Sequence, residues 1–116
     1  MKFKGIIALV DDDITERVIT AARNAGATGC TVISRARGEG LKPAKTFFGL
    51  DLEEQRDVVL FIVEQHLSRH ILERIAEVGG FDRTMGAGVA FQFDLEDAVG
   101  LSSQIETIEE EIEDQI

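Results

Sequence analysis

The chain has 116 residues, enough for one domain with a usable core and too few for two. Apolar residues make up 44% and charged residues 29%, a globular rather than a disordered composition. Twelve basic residues against 22 acidic ones give a net charge of −10, which excludes a duplex nucleic-acid binder with a broad basic face.

The charge is unevenly spread. Residues 1–50 carry 8 basic and 5 acidic side chains, and residues 51–116 carry 4 and 17. Arg35, Arg37, Lys42 and Lys45 crowd one segment against Glu39 alone, a patch suited to a small anion or to a solvated loop. The longest aliphatic and aromatic run, Val58 to Val63, is six residues, far short of a bilayer span, so no membrane insertion is expected. Met1-Lys2-Phe3-Lys4 leads directly into an apolar run without a small-residue cleavage site, and a cytoplasmic location is expected. One cysteine cannot form an internal disulfide or a cysteine-based metal site.

In chain order, Lys4–Val10 reads as a buried strand, followed by a helix whose apolar face is Ile14, Val18, Ile19, Ala22 and Ala25. Asp13 with Glu16 reads as its capping pair, and Gly26 as its C-terminal glycine. Thr31–Ser34 is the next strand. The pattern then recurs at an offset of 53. Val59–Val63 falls on Ile6–Val10. Leu67, Ile71, Leu72, Ile75 and Val78 fall on the first helix's apolar face, and Gly79 falls on Gly26. Ser68 or the residues just before it cap this second helix. Gly88–Phe93 alternates as a last strand.

Two successive β-α-β units predict an α+β, ferredoxin-like βαββαβ (split βαβ) sandwich, with both helices on one face of a four-stranded antiparallel sheet. The other face is left bare, so self-association is expected. Residues 1–95 form this domain, with a flexible loop over about 37–50, in which Thr46–Leu50 is an apolar stretch. Residues 96–116 form an acidic C-terminal extension. There Leu101, Ile105, Ile108, Ile112 and Ile116 make one helical stripe, and Ser103 with Glu106 makes a capping box. The extension suits docking on its own protein or on a partner.

Nothing in the residues argues for catalysis, and no catalytic or metal-ligating set is assigned. His66 and His70 share a helix face but lack a third ligand, and read as a surface pair. Asp11-Asp12-Asp13 precedes a helix, where capping and dipole stabilisation explain it without a metal. Cys30 reads as a small core residue. Gly86-Ala87-Gly88 would let backbone N–H groups approach an anion closely.

Several pieces in order resemble the PII-type nitrogen-regulatory signal-transduction family, as a divergent member. These are the opening strand, the run Ala25-Gly26-Ala27-Thr28-Gly29-Cys30-Thr31-Val32, the long loop after the second strand, and Thr84-Met85-Gly86-Ala87-Gly88-Val89-Ala90-Phe91-Gln92-Phe93-Asp94. The resemblance covers about residues 3–95. It implies a homotrimer with an adenine nucleotide (AMP, ADP or ATP), often with 2-oxoglutarate and Mg²⁺, in each inter-subunit cleft. The loop then controls a partner protein, a membrane transporter or an enzyme of nitrogen metabolism. By position, Gly86, Ala87, Gly88 and Val89 would line the phosphates, Thr31 the base, and Gly38 and Gly40 the foot of the loop beside Arg35 and Arg37.

The chain departs from the family pattern at Val89, where a lysine is usual, at Ala87, where an acidic residue is usual, and beyond the last strand, where arginines are usual. Each lost charge-assisted contact removes about 1.5–3 kcal/mol, so a triphosphate held in the usual manner is weakened by orders of magnitude. Arg35, Arg37, Lys42, Lys45 and Arg83 are the cations that remain to compensate. No tyrosine exists and Gly38–Gly49 has no serine, so the loop modifications of some relatives are ruled out. Alternative readings are a trimeric metal-handling or structural protein of the copper-tolerance type, which needs His66, His70 and the acids to gather, and a domain for a non-nucleotide small molecule.

Overall fold

The structure is a computed structural model, and it describes residues 1–36, 46–47, 50–51, 56–84 and 87–101. Strand β1 (Phe3–Asp11) leads to helix α1 (Thr15–Asn24) and strand β2 (Thr31–Ala36). Among the described residues, strands β3 (Thr46–Phe47) and β4 (Leu50–Asp51) pair with each other in a two-stranded ladder. Strand β5 (Arg56–Glu64), helix α2 (Gln65–Gly79) and strand β6 (Gly88–Asp94) complete the second unit.

The main sheet has the order β2-β5-β1-β6, antiparallel throughout, which is the expected ferredoxin-like arrangement. The period of two splits each strand between the sheet's faces. Ile6, Ala8 and Val10 of β1 and Val59, Phe61 and Val63 of β5 point to the helices and are buried there with Val18, Ile19, Ala22, Leu67, Ile71 and Ile75. The intervening residues form the open face. On it Ile33, Val58, Leu9 and Val89 make one row, and Thr31, Leu60, Ile7 and Phe91 the next. The Phe93 ring lies across Gly5, where a Cβ would collide with it. Ile33, Ile62, Phe91 and Phe93 remain exposed, so this face is the unpartnered one.

The helix ends differ from expectation. Asp13 and Glu16 do not cap α1: the N-cap position is Ile14, without a side-chain bond. Asp11, two residues before Asp13, accepts the Asp13 N–H through Oδ1 at 3.0 Å in the turn ahead of the helix, and Thr15 donates to buried Asp57 at 2.7 Å. Helix α2 is capped by Glu64, whose carboxylate accepts the His66 N–H at 2.6 Å, whereas Ser68 lies inside the helix and donates to the Gln65 carbonyl. The left-handed residue that ends α2 is Gly80 (φ 65), one past Gly79. Gly26 (φ 119) does end α1, and Ala27 N–H closes the turn onto the Ala22 carbonyl. Residues 102–116, where the acidic helix is expected, and the loop residues 37–45 lie outside the described residues.

Candidate functional site

Of the nine residues singled out from the sequence, five lie among the described residues, and one of these, Ala87, directly precedes β6 (Gly88–Asp94). Thr31 and Arg35 sit on β2, and Gly88 and Val89 open β6. Arg37, Gly38, Gly40 and Gly86 lie outside the described residues. The strand order puts β2 and β6 on opposite edges of one sheet, three strand spacings or about 14 Å apart. Their levels nevertheless match, because Ile33 and Val89 lie in one cross-strand row through Val58 and Leu9. A single chain therefore cannot close these residues around one ligand, whereas an edge of one copy set beside the opposite edge of another can.

Arg35 has φ 61, the only left-handed non-glycine among the described residues, and the β2–β5 register shifts between Ile33 and Ala36. An irregularity of this kind turns a side chain away from its regular direction, and a non-glycine residue there carries about 1–2 kcal/mol of local strain. The strain thus falls on a cation at the head of the basic segment. The same end of the sheet holds the Arg56–Asp11 ion pair at 3.4 Å, with Arg56 buried and Asp11 partly so.

Of the Gly86-Ala87-Gly88 run, Ala87 and Gly88 are described. Ala87 N–H donates to the Thr84 carbonyl at 3.1 Å and is not presented outward. At Gly88 a Cβ would stand 2.8 Å from the Leu9 carbonyl oxygen and meet the Phe81 ring, so close packing alone requires glycine there. Val89 is half-buried. Cys30 is exposed, not core, because it enters an edge strand whose outer residues are exposed from Thr31 to Arg35. It lines a hollow of about 240 Å³ on the open face with Gly29, Thr31, Leu60, Ile62 and Leu101.

The acidic triplet converges at the end of β1, with carboxylate oxygens of Asp11, Asp12 and Asp13 within 4.8 Å of one another. Asp12 is held above the ordinary carboxyl value, first by its hydrogen bond with the Asp11 side chain, then by desolvation and by the charges of Asp13, Asp11 and Asp57. His66 is exposed, and its Nδ1 lies 2.6 Å from Glu64 Oε1. The copper-tolerance reading needs these acids and the histidines together. In the register, Asp11 faces Arg56 at one end of the sheet and Phe3 faces Glu64 at the other, eight residues or about 27 Å along the strand. One chain does not gather them.

Residues 3–104 match the family described as Nitrogen regulatory protein P-II, and the chain belongs to that family. No curated protein matches the sequence. Solved structures resemble the fold. A PII-like signaling protein from Thermus thermophilus is 23% identical with a TM-score of 0.60, covering 82% of this chain and 87% of its own. CPII from Thiomonas intermedia K12, bound to ADP, AMP and acetate, is 18% identical with a TM-score of 0.65, covering 84% and 89%. The same protein bound to ADP and bicarbonate is 18% identical with a TM-score of 0.61, covering 82% and 87%. Among the described residues no helix is long and apolar enough to cross a membrane.

Proposed function

We infer that this chain is a PII-like regulatory protein that works as a homotrimer in the cytoplasm and is not an enzyme. It senses a small anionic metabolite, an adenine nucleotide, in clefts between subunits. The loop over about 37–50 then reports occupancy to a regulated protein, a transporter or an enzyme of nitrogen metabolism. One observation carries the reading: Thr31 and Arg35 lie on one edge of the sheet, and Gly88 and Val89 on the other at a matching level. The exposed apolar residues of the open face support association of identical copies.

The side chains favour a ligand with less charge than a triphosphate. Val89 offers no cation where a phosphate would lie, and the Ala87 N–H is already used. Arg35 is an exposed cation on the β2 wall of the proposed cleft. AMP or ADP suits this set better than ATP, and the ADP- and AMP-bound CPII structures support the same class. Ligand control is a population shift: an effector that contacts the loop in only one of its conformations enriches that conformation.

Titration calorimetry with AMP, ADP, ATP, bicarbonate and 2-oxoglutarate, run beside light scattering, tests this. A trimer that binds AMP or ADP, and loses roughly tenfold or more affinity in Arg35→Ala without losing its mass, is the expected result. A monomer, or a trimer that binds none of these compounds, overturns it.

A further inference from the structure

Helix α2 begins with a local arrangement that the proposed cleft does not use. Its inner face is set by Leu67, Ile71 and Ile75, which are buried in the core. The helical period then places His66, Arg69, His70 and Glu73 on the outer, exposed face. His66 and His70 are one turn apart, a spacing that brings their Cβ atoms within about 6 Å. Helical side chains tilt toward the N-terminus, so His70 leans back toward His66.

The first histidine is not a loose surface ring. Glu64 ends β5 with a side chain only 1% exposed, and both of its carboxylate oxygens engage His66. Oε2 accepts the backbone N–H at 2.6 Å, and Oε1 lies 2.6 Å from the ring Nδ1. A carboxylate at Nδ1 makes that nitrogen the donor and leaves the lone pair on Nε2, on a side chain that is 69% exposed. Metal-binding histidines carry such an outer carboxylate, which fixes the tautomer and the ring's orientation and raises the ligand's basicity. His70 has no hydrogen bond or ion pair among the described residues, so nothing there prevents its ring from turning to the same point. Arg69, between the two in sequence, is held by Glu73 at 2.8 Å.

We propose that His66 and His70 form a surface site for a divalent metal ion of the Ni²⁺, Cu²⁺ or Zn²⁺ kind, with Glu64 as the residue that positions His66. Two imidazoles select these ions over Mg²⁺ and Ca²⁺, which prefer oxygen ligands. Water fills the remaining positions, so the bound ion stays open to a donor from another molecule. The Glu64 carboxylate also offsets the positive end of the helix dipole, which would otherwise oppose a cation at this turn. The site differs from the copper-tolerance reading, which needs the acidic triplet as well. It lies on the helix layer, away from the open face, and so depends on neither the trimer nor the nucleotide.

Titration of the full chain with Ni²⁺ alone, followed by calorimetry, tests this. One ion per chain is expected, with affinity lost roughly tenfold or more in either His66→Ala or His70→Ala. Both histidines are exposed, so these variants keep the fold. Glu64→Gln retains an oxygen to cap the helix but removes the charge at Nδ1, and its affinity should fall roughly tenfold. Cys30→Ser removes the chain's one thiol and should bind Ni²⁺ as the parent does. In that background, electron paramagnetic resonance of bound Cu²⁺ should show two coordinated nitrogens, one in His70→Ala and still two in Glu64→Gln. The nitrogen count separates loss of a ligand from loss of its support. A parent that binds Ni²⁺ more weakly than about 1 mM overturns the proposal. Unchanged affinity in either histidine variant, or binding that disappears with Cys30, also overturns it. Unchanged affinity in Glu64→Gln overturns the positioning role.

Discussion

Ile7 and Leu60 face each other directly across the two central strands, and they are also equivalent positions of the internal repeat, 53 residues apart. A pair that is both must sit on the two-fold axis relating the halves of the chain. The outer strands obey the same axis at a different offset. Thr31 lies opposite Leu60 and Phe91 opposite Ile7, so those two are equivalents 60 residues apart. The second unit therefore holds seven more residues between its inner and outer strands, which accommodates the longer α2 and the turn through Phe81. That turn packs the Phe81 ring against both Gly79 and Gly88.

At Gly88 an added Cβ would meet the Leu9 carbonyl oxygen as well as the Phe81 ring, and the backbone contact is the one that cannot yield. Gly88→Ala is expected to destabilise the fold by about 1–3 kcal/mol, because the added Cβ meets the Leu9 carbonyl. Truncating the ring in a Phe81→Ala background should not recover the loss. Chemical denaturation of the two single variants and the double variant measures this, and full recovery in the double variant would refute a backbone cause.

Glu64 caps α2 from a buried position and accepts from both the His66 N–H and the His66 ring. Glu64→Ala should cost about 1–2 kcal/mol, in the range of a lost helix cap. His66→Ala should cost clearly less, since it keeps the backbone bond and removes a mostly exposed ring. The ratio of the two denaturation midpoint shifts is the readout.

At Arg35 stability and binding should move in opposite directions. Arg35→Gly relieves a left-handed residue and is expected to raise stability by about 0.5–1 kcal/mol. If Arg35 contacts the metabolite as proposed, the same change lowers its affinity. Thermal melts with and without AMP separate the two effects: the ligand-free melting temperature rises and the ligand-induced increment shrinks.

Asp12 predicts a pH dependence with a definite sign. Its carboxyl binds a proton more tightly in the folded chain than at the ordinary value of 3.8. Stability from this group is thus fully present below that value and declines as pH rises through the raised folded value. Asp12→Asn should flatten that decline. Unfolding free energies from about pH 3 to pH 6 test it, and an unchanged slope in the variant would show that Asp12 is not responsible.

The strands and helices are legible in the sequence because their signals are strong. Ile6–Val10 and Val59–Val63 are near-continuous aliphatic runs, and the repeat places them symmetrically. The caps are less so. Glu64 closes a strand before it opens a helix, and a buried glutamate with a serine four residues on does not resemble the usual capping pattern. Cys30 reads as core although it is exposed, because burial depends on what covers β2, and no periodicity within β2 carries that information. The site is legible only in part for the same reason. Thr31 and Gly88 can be named from the sequence, but that they fall on opposite edges of one sheet follows from strand order. The use of the Ala87 N–H by Thr84 follows from the turn's local geometry.

If β2 and β6 line the ligand as proposed, their placement on opposite edges of the sheet has a genetic corollary. In a closed ring of identical copies, every pocket is composite, drawing one wall from each of two chains. A chain damaged only at Arg35 and another damaged only at Val89 would each form rings without an intact pocket. Mixed in equal amounts, they would regenerate about one quarter of the pockets, each built from the sound wall of either parent. Two broken alleles would then restore in combination what neither supplies alone.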